Sequence, residues 1–265
     1  MMEHREQFVQ NRDLAFAEAR RSTGSARHFK PHLHRRLSIG AIDRGEVIYE
    51  VDGQKARLGP GALALINPDT LHACNPVGSQ ARSYFMLYLE TSWCAKVQKT
   101  LFSTDVFLPL DRICLDHEHL FRRYRQLMDR LLGGQANESD LIAFSRALFL
   151  RTCQAGEPTP PVRLRIEQLK KELSTDLRHP LPLETLARRH GINPYTLLRQ
   201  FKKATGVTPH AFRLNRQISR ARELLRRGMD PATVATECGF YDQSHMHRHF
   251  RAMTTVTPGE YQQNF

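Results

Sequence analysis

The sequence predicts an α+β chain: an N-terminal β-barrel or sandwich carrying a helical hairpin, then an all-α half with two helix-turn-helix motifs. Three observations point there. Residues 28–90 break into short β-branched and aromatic segments separated by Gly, Pro, Asn and Asp turn signals. Residues 117–153 place apolar side chains at three- and four-residue spacing. Residues 163–265 contain one helix, tight turn, helix pattern written twice.

Taken in order, residues 3–20 read as a short polar helix with Phe8, Leu14 and Phe16 as its few apolar positions. Strands are expected over 36–43, 46–51, 55–58, 62–66 and 82–90. Asp52-Gly53 is a hairpin signal, because both central residues of such a turn need positive φ. Several short strands at this spacing argue for a sandwich or barrel. After Ser92 the texture turns helical. Over His117–Leu132, the residues Leu120, Phe121, Tyr124, Leu127, Met128 and Leu131 share one face, and Gly133-Gly134 ends the helix. Ser139–Cys153 repeats the pattern through Leu141, Ile142, Phe144, Leu148 and Phe149. Part of this hairpin must cover the β domain; its surplus apolar surface fits further domain packing and a dimer seam equally. Gln154–Val162 is Pro-rich and reads as an extended linker. The expected organisation is therefore 1–153, a linker over 154–162, and 163–265.

Charge separates the halves. The 265 residues carry a formal net charge of +12. Residues 162–265 hold 18 Lys or Arg against 9 Asp or Glu, whereas the rest hold 21 against 18. The basic excess thus sits in the helical half, and nucleic acid is its first reading. Five cysteines (Cys74, Cys94, Cys114, Cys153, Cys238), none at C-x-x-C spacing, make neither a disulfide framework nor a zinc ribbon. The charged start is no signal peptide, and no apolar run approaches the roughly 20 residues that cross a bilayer. A cytoplasmic protein with no membrane partner is expected.

The repeat has a period of 48–49 residues. Ala187, Gly191, Phe201 and Thr208-Pro209 in the first unit match Ala235, Gly239, Phe250 and Thr257-Pro258 in the second. Small Ala residues let the second helix cross close to the first. The glycines sit where the chain leaves a helix with positive φ. Asn193-Pro194 supplies an N-cap and a first-turn proline, Asp242 caps the matching helix, and Thr257 with Glu260 has capping-box spacing. Phe201 and Phe250 anchor each second helix. A helix over about 209–227 joins the units.

Residues 163–265 resemble, along their whole length, the DNA-binding domain of the AraC-type transcription regulators. The resemblance rests on A-x3-G-I-x4-L-L-x2-F-K from Ala187, on A-x3-G-F-x-D-Q-S-x5-F from Ala235, and on T-P-x-x-Y from Thr257 to Tyr261. Met246 stands where the family often has Phe. A recognition helix presents its N-terminal outward side chains to the major groove. Candidate base contacts are therefore Tyr195, Thr196, Arg199 and Gln200 in the first unit, and Gln243, Ser244, His247 and Arg248 in the second. Arg199 and Arg248 lead, because a guanidinium fork matches the guanine O6/N7 edge. The resemblance points to Tyr195, Arg199, Gln243 and Arg248 as well. Lys202, Lys203, Arg251, Arg188 and Arg189 are candidate phosphate contacts.

His32-x-His34, Gly45, Gly53, Gly59-Pro60-Gly61, Asn67-Pro68 and His72 resemble the cupin-like sensing domain of the same family. The resemblance implies a small-molecule effector inside the barrel, a homodimer formed through the adjacent helices, no catalysis and no cofactor. It also allows contact with RNA polymerase if the protein activates. A mixed lining of His32, His34, Tyr49, Asn67, His72, Tyr84 and Tyr88 would suit a polar or anionic effector. Two alternatives stay open. His32, His34, His72 and Cys74 could form a metal-responsive site, since i and i+2 residues on a strand share a face. A cupin-type metalloenzyme would need a carboxylate soon after the His pair, and Arg35-Arg36-Leu37-Ser38 follow instead.

Overall fold

The computed structural model describes residues 4–51, 53–153 and 161–265, with side chains from 165 onward in the last stretch. Asp52 of the expected hairpin turn and 154–160 of the expected linker lie outside the described residues. The chain forms two compact units. One comprises residues 1–28, 35–156 and 264–265; the other comprises 29–34 and 157–263.

The first unit opens with β1 (Arg5–Val9), a 3-10 turn at Arg12–Leu14, and β2 (Ala17–Ser25). The polar helix expected over residues 3–20 is therefore two strands. The reason is visible in β2: Ala17 and Ala19 point to one buried face, and Glu18, Arg20 and Ser22 to another that is equally buried. A charged residue suggests solvent, so a period of two is hidden where both faces of the strand are buried. There follow β3 (Leu37–Arg44), β4 (Val47–Val51), β5 (Gln54–Leu58), β6 (Ala62–Ile66), β7 (His72–Pro76) and β8 (Arg82–Leu89). Gly53, at φ +77°, serves the β4–β5 hairpin, in which Val51 pairs with Gln54. α1 (Thr91–Phe102), β9 (Cys114–Asp116), α2 (Glu118–Leu132) and α3 (Glu138–Thr152) complete the unit.

The strands make a six-stranded sheet, ordered β1-β2-β8-β3-β6-β9, and a three-stranded sheet, ordered β5-β4-β7. On the larger sheet Ala19, Leu87, Ile39 and Leu65 fall in one cross-strand row. They join the apolar core with Tyr124, Met128, Phe144 and Leu148 of α2 and α3. The Tyr124 hydroxyl donates to the Ile39 carbonyl at 2.6 Å, tying the hairpin to the sheet. Leu150, on α3, remains 59% exposed, so the hairpin's apolar surface exceeds what the sheet covers.

The second unit is helical: α4 (Pro161–Ser174), α5 (Leu183–Arg189), α6 (Pro194–Thr205), α7 (Pro209–Arg226), α8 (Pro231–Glu237), α9 (Gln243–Thr254) and α10 (Pro258–Gln262). The caps expected at Asn193, Asp242 and Thr257 are present, and Thr208 and Asp230 cap two further helices. Asn193 accepts from Tyr195 N, Thr208 from Ala211 N, Asp230 from Ala232 N and Thr233 N, and Asp242 from His245 N. Thr257 and Glu260 form a reciprocal capping box. The paired apolar positions are fully buried: Leu197 and Phe201 in one repeat, Met246 and Phe250 in the other. Phe201 meets Phe212 edge-on, and Phe250 meets Tyr261 in the same way, each at 5.5 Å between centroids. The 18 residues of α7 connect the repeats and span roughly 27 Å at 1.5 Å per residue.

Candidate nucleic-acid interface and barrel interior

In α6 the buried Leu197 and Phe201 fix the helix against its unit, which turns Tyr195 and Arg199 outward; Thr196 and Gln200 flank them, half-buried. Tyr195 is 81% exposed. In α9 the buried Met246 and Phe250 leave Gln243, Ser244, Arg248 and Arg251 exposed and His247 half-buried. Gln243, Ser244, His247, Arg248 and Arg251 line one shallow surface groove along α9. Aligning the helices on their caps, Asn193 and Asp242, superposes Leu197 on Met246, Arg199 on Arg248, Phe201 on Phe250 and Lys202 on Arg251. Each repeat therefore sets one exposed arginine two residues before its buried aromatic anchor.

Among the described residues no ion pair holds Arg199, Lys202, Lys203, Arg248 or Arg251. Their charge is available to phosphate or base edges. Arg188 is exposed at the end of α5, whereas Arg189 lies 3.5 Å from Glu172. His249 faces back toward its own unit. Burial first, then the neighbouring charges of His245, Arg248, Lys30 and His210, hold its imidazole below the usual histidine range.

The other face of the six-stranded sheet is polar and buried. Cross-strand registers put Glu6, Ser22 and Tyr84 in one row, Phe8, Arg20, Met86 and Gly40 in the next, and Glu18, Tyr88 and Ser38 in a third. Glu18, Ser22 and Ser38 are fully buried, and Arg20 nearly so. Arg20 Nε donates to Glu6 Oε2 at 2.9 Å, and Ser22 Oγ donates to Glu6 Oε1 at 2.8 Å. The Arg20 guanidinium lies 5.0 Å from the Phe8 ring and 5.4 Å from the Tyr84 ring. Burial works against its charge, and Glu6 with Tyr84 and Tyr88 outweighs that, so Arg20 stays protonated. Arg36 Nη1 donates to Glu18 Oε2 at 3.2 Å. Arg82 is held by backbone carbonyls of Ser25, Arg27 and Cys74 at 3.0–3.1 Å. The Cys74 carbonyl belongs to the smaller sheet, which covers this face.

From that smaller sheet Val47, Tyr49 and Val51 are buried, while Ile48 and Glu50 are exposed. Cys74 pairs with Tyr49, and His72 with Val51, so both share the inward face. Burial raises the Tyr49 and Tyr84 hydroxyl pKa values and pushes the Cys74 thiol up to about 11. Tyr49 donates to the Leu65 carbonyl at 2.6 Å. Four of the seven effector candidates, Tyr49, His72, Tyr84 and Tyr88, thus lie buried on the facing sides of the two sheets. Asn67 is used elsewhere: its amide brackets Leu110, donating to its carbonyl and accepting from its N–H, both at 2.8 Å. His32 and His34 fall in the segment 29–34, grouped with the helical unit, and not on a named strand. They share no strand face, yet their ring centroids lie 6.0 Å apart, so the two histidines remain neighbours as the metal-responsive alternative requires. Glu6, Glu18, Arg20 and Ser22 were missed with β1 and β2; the Ala-x-Ala alternation at 17–19 was the available signal.

Comparison with known proteins gives a consistent result. The family model for the AraC-like ligand-binding domain matches residues 17–150, and a helix-turn-helix domain model matches 186–264. The chain is 27% identical over 245 residues to the HTH-type transcriptional regulator YbfI of Bacillus subtilis, covering 86% of this chain and 85% of that one. It is 26% identical over 251 residues to the HTH-type transcriptional activator RhaS of Escherichia fergusonii, covering 89% and 88%. Among solved structures, ToxT of Vibrio cholerae shares the fold at a TM-score of 0.67 and 14% identity, over 98% of this chain and 99% of that one. ToxT has also been crystallised with an unsaturated fatty acid; that structure matches at a TM-score of 0.66 and 13% identity, over 99% and 97%. By name, YbfI is a transcriptional regulator and RhaS a transcriptional activator.

Proposed function

The chain belongs to the AraC family of transcription regulators, with an N-terminal ligand-binding domain and a C-terminal DNA-binding domain, and on that footing we propose how its residues divide the work. Arg199 and Arg248 read guanine edges in two successive major-groove segments, one per repeat. Tyr195, Thr196, Gln200, Gln243, Ser244 and His247 complete the base contacts. Lys202, Lys203, Arg251, Arg188 and Arg189 neutralise phosphates and set affinity without sequence. The observation that carries this reading is the paired placement of one exposed, unbridged arginine above a buried aromatic anchor in each repeat.

The effector enters between the two sheets of the first domain, residues 1–153. Its wall of Glu6, Glu18, Arg20, Ser22, Tyr84, Tyr88 and His72 suits a small polar molecule and not an aliphatic tail, because an apolar ligand would offer these buried polar groups no hydrogen bonds. Residues 154–162 join this domain to the DNA-binding domain, 163–265. The protein works in the cytoplasm as a homodimer through α2 and α3, and the activator name of its RhaS relative favours contact with RNA polymerase. Effector binding shifts the population of the DNA-competent arrangement.

The test is affinity selection of genomic DNA fragments by the full-length protein at near-physiological salt, with Arg199→Ala and Arg248→Ala run beside it. A motif of two half-sites about one helical turn apart, roughly 34 Å, relaxed at different positions by each variant, supports the proposal. No enriched motif, with or without added metabolite pools, overturns it.

A further inference from the structure

The two repeats do not have equal turns. Counted from the turn glycine, Gly191 precedes its helix cap Asn193 by two residues, and Gly239 precedes Asp242 by three. The additional residue is Tyr241. It is 92% exposed, more than Tyr195, and no apolar contact explains it. Its platform is rigid. Phe240 before it is buried, and the Asp242 carboxylate after it is engaged as the cap of α9, accepting from His245 N. Gln217 donates to the Gly239 carbonyl at 3.0 Å, and the left-handed Gly239 packs so closely on the Leu177 carbonyl that no side chain fits. The backbone that carries Tyr241 is thus fixed at the leading end of the helix that bears Gln243, Ser244 and Arg248.

We infer that Tyr241 is a DNA-contacting residue of the second motif, its hydroxyl donating to a backbone phosphate at the edge of the groove that α9 enters. This rests on the DNA-binding reading above. Position decides for phosphate over base. Base edges are reached by the first turns of the recognition helix, and residues ahead of the cap lie over the flanking strand, where tyrosine is a regular phosphate donor. A phenol brings large area with only two rotatable bonds, so ordering it on a fixed turn costs little. The contact has no counterpart in the first repeat, which lacks the residue, so it makes the grip on the second half-site tighter and directional.

The experiment uses the full-length protein on its selected operator, with Tyr241→Phe, Tyr241→Ala and Arg251→Ala. Affinity is measured by fluorescence anisotropy across a salt series, and phosphate contacts are mapped by ethylation interference. Tyr241→Phe should weaken binding by about tenfold or more, as expected for one hydrogen bond to a charged acceptor. The loss should be equal on operators of altered sequence, and one interference position beside the second half-site should vanish. The salt slope should not change, because a neutral donor releases no counterion, whereas Arg251→Ala should lower it by about one. Tyr241→Phe within twofold of the parent overturns the inference. A loss in Tyr241→Ala alone also overturns it, leaving ring packing in place of the phosphate bond. Failure of the parent protein to select DNA is a separate result and removes the DNA-binding reading itself.

Discussion

Gly191 and Gly239 occupy the same place in the two repeats, with φ of +61° and +72°, yet they should not tolerate alanine equally. A Cβ at 191 would meet nothing within 4 Å. At 239 it would lie 2.1 Å from the Leu177 carbonyl oxygen and 3.0 Å from Arg178 Cα. Gly191→Ala therefore bears only the left-handed backbone penalty, about 1–2 kcal/mol. Gly239→Ala bears the same penalty plus overlap with a backbone carbonyl, about 1–3 kcal/mol more. The loop that would have to retreat is itself tied: Arg213 donates to the carbonyls of Asp176 and His179, and Arg178 pairs with Glu237. The single tryptophan, Trp93, lies in the other unit, so intrinsic fluorescence would report the wrong half. Hydrogen exchange of the full-length protein, read on peptides of α5–α6 and α8–α9, separates the two repeats. Gly191→Ala should speed exchange in α5–α6 about tenfold, and Gly239→Ala should speed it in α8–α9 by a further order of magnitude. Equal effects, or a larger one at 191, would refute the packing argument.

Other substitutions probe the remaining devices. Arg199→Ala and Arg248→Ala should each cost about 1–3 kcal/mol on the selected operator and relax specificity at separate positions; a uniform loss on all sequences would return both to phosphate contact. Thr257→Ala removes half of the capping box and should lower the stability of the helical unit by about 1 kcal/mol, read as faster exchange in α10. His249 takes up its proton less readily in the folded unit than in the unfolded chain. Folding therefore loses stability as pH drops below the ordinary value of 6.5 and is unaffected above it. His249→Gln should flatten the difference in exchange protection, taken relative to the unfolded-chain rate at each pH, between about pH 5.5 and 7.5, and a persistent slope in protection would place the titration elsewhere.

The helical half was legible because its instructions are local. Caps, first-turn prolines, turn glycines and aromatic anchors each act within one or two turns, and their repetition at 48–49 residues removed coincidence. The strands from Leu37 to Ile66 and at Arg82–Leu89 were legible for a related reason: β-branched runs bounded by turn residues. What escaped was non-local. β1 opens on Arg5-Glu6-Gln7, β2 alternates small apolar against charged residues, and a charge in sequence reads as solvent unless the covering sheet is known. β7 carries His72, Ala73, Cys74 and Asn75, with little β-branched signal, and is defined by pairing to β4. Asn67 looked like a pocket residue because nothing local shows that Leu110, 43 residues on, needs both of its backbone groups satisfied.

The two units use charge in opposite ways, and the contrast gives the strongest argument for a ligand in the first. The cations of α6 and α9 stand free in solvent, where they cost nothing and can meet an anion. Arg20 and Glu6 are only 4% and 8% exposed. Buried pairs of this kind contribute little net stability, because desolvation offsets most of their attraction, and well-packed apolar replacements are often neutral or stabilising by about 1–4 kcal/mol. A fold that needed only to be stable would have filled that space with leucine. The prediction is then specific. Arg20→Met alone strands the buried Glu6 carboxylate and should destabilise the unit by about 3–5 kcal/mol. Combining it with Glu6→Leu should recover most of that loss. Stability restored in the double variant, with DNA binding intact and effector response gone, would mean that the pair is kept for the ligand. Full effector response in the refolded double variant would mean that the polar wall reads nothing and that the effector binds elsewhere.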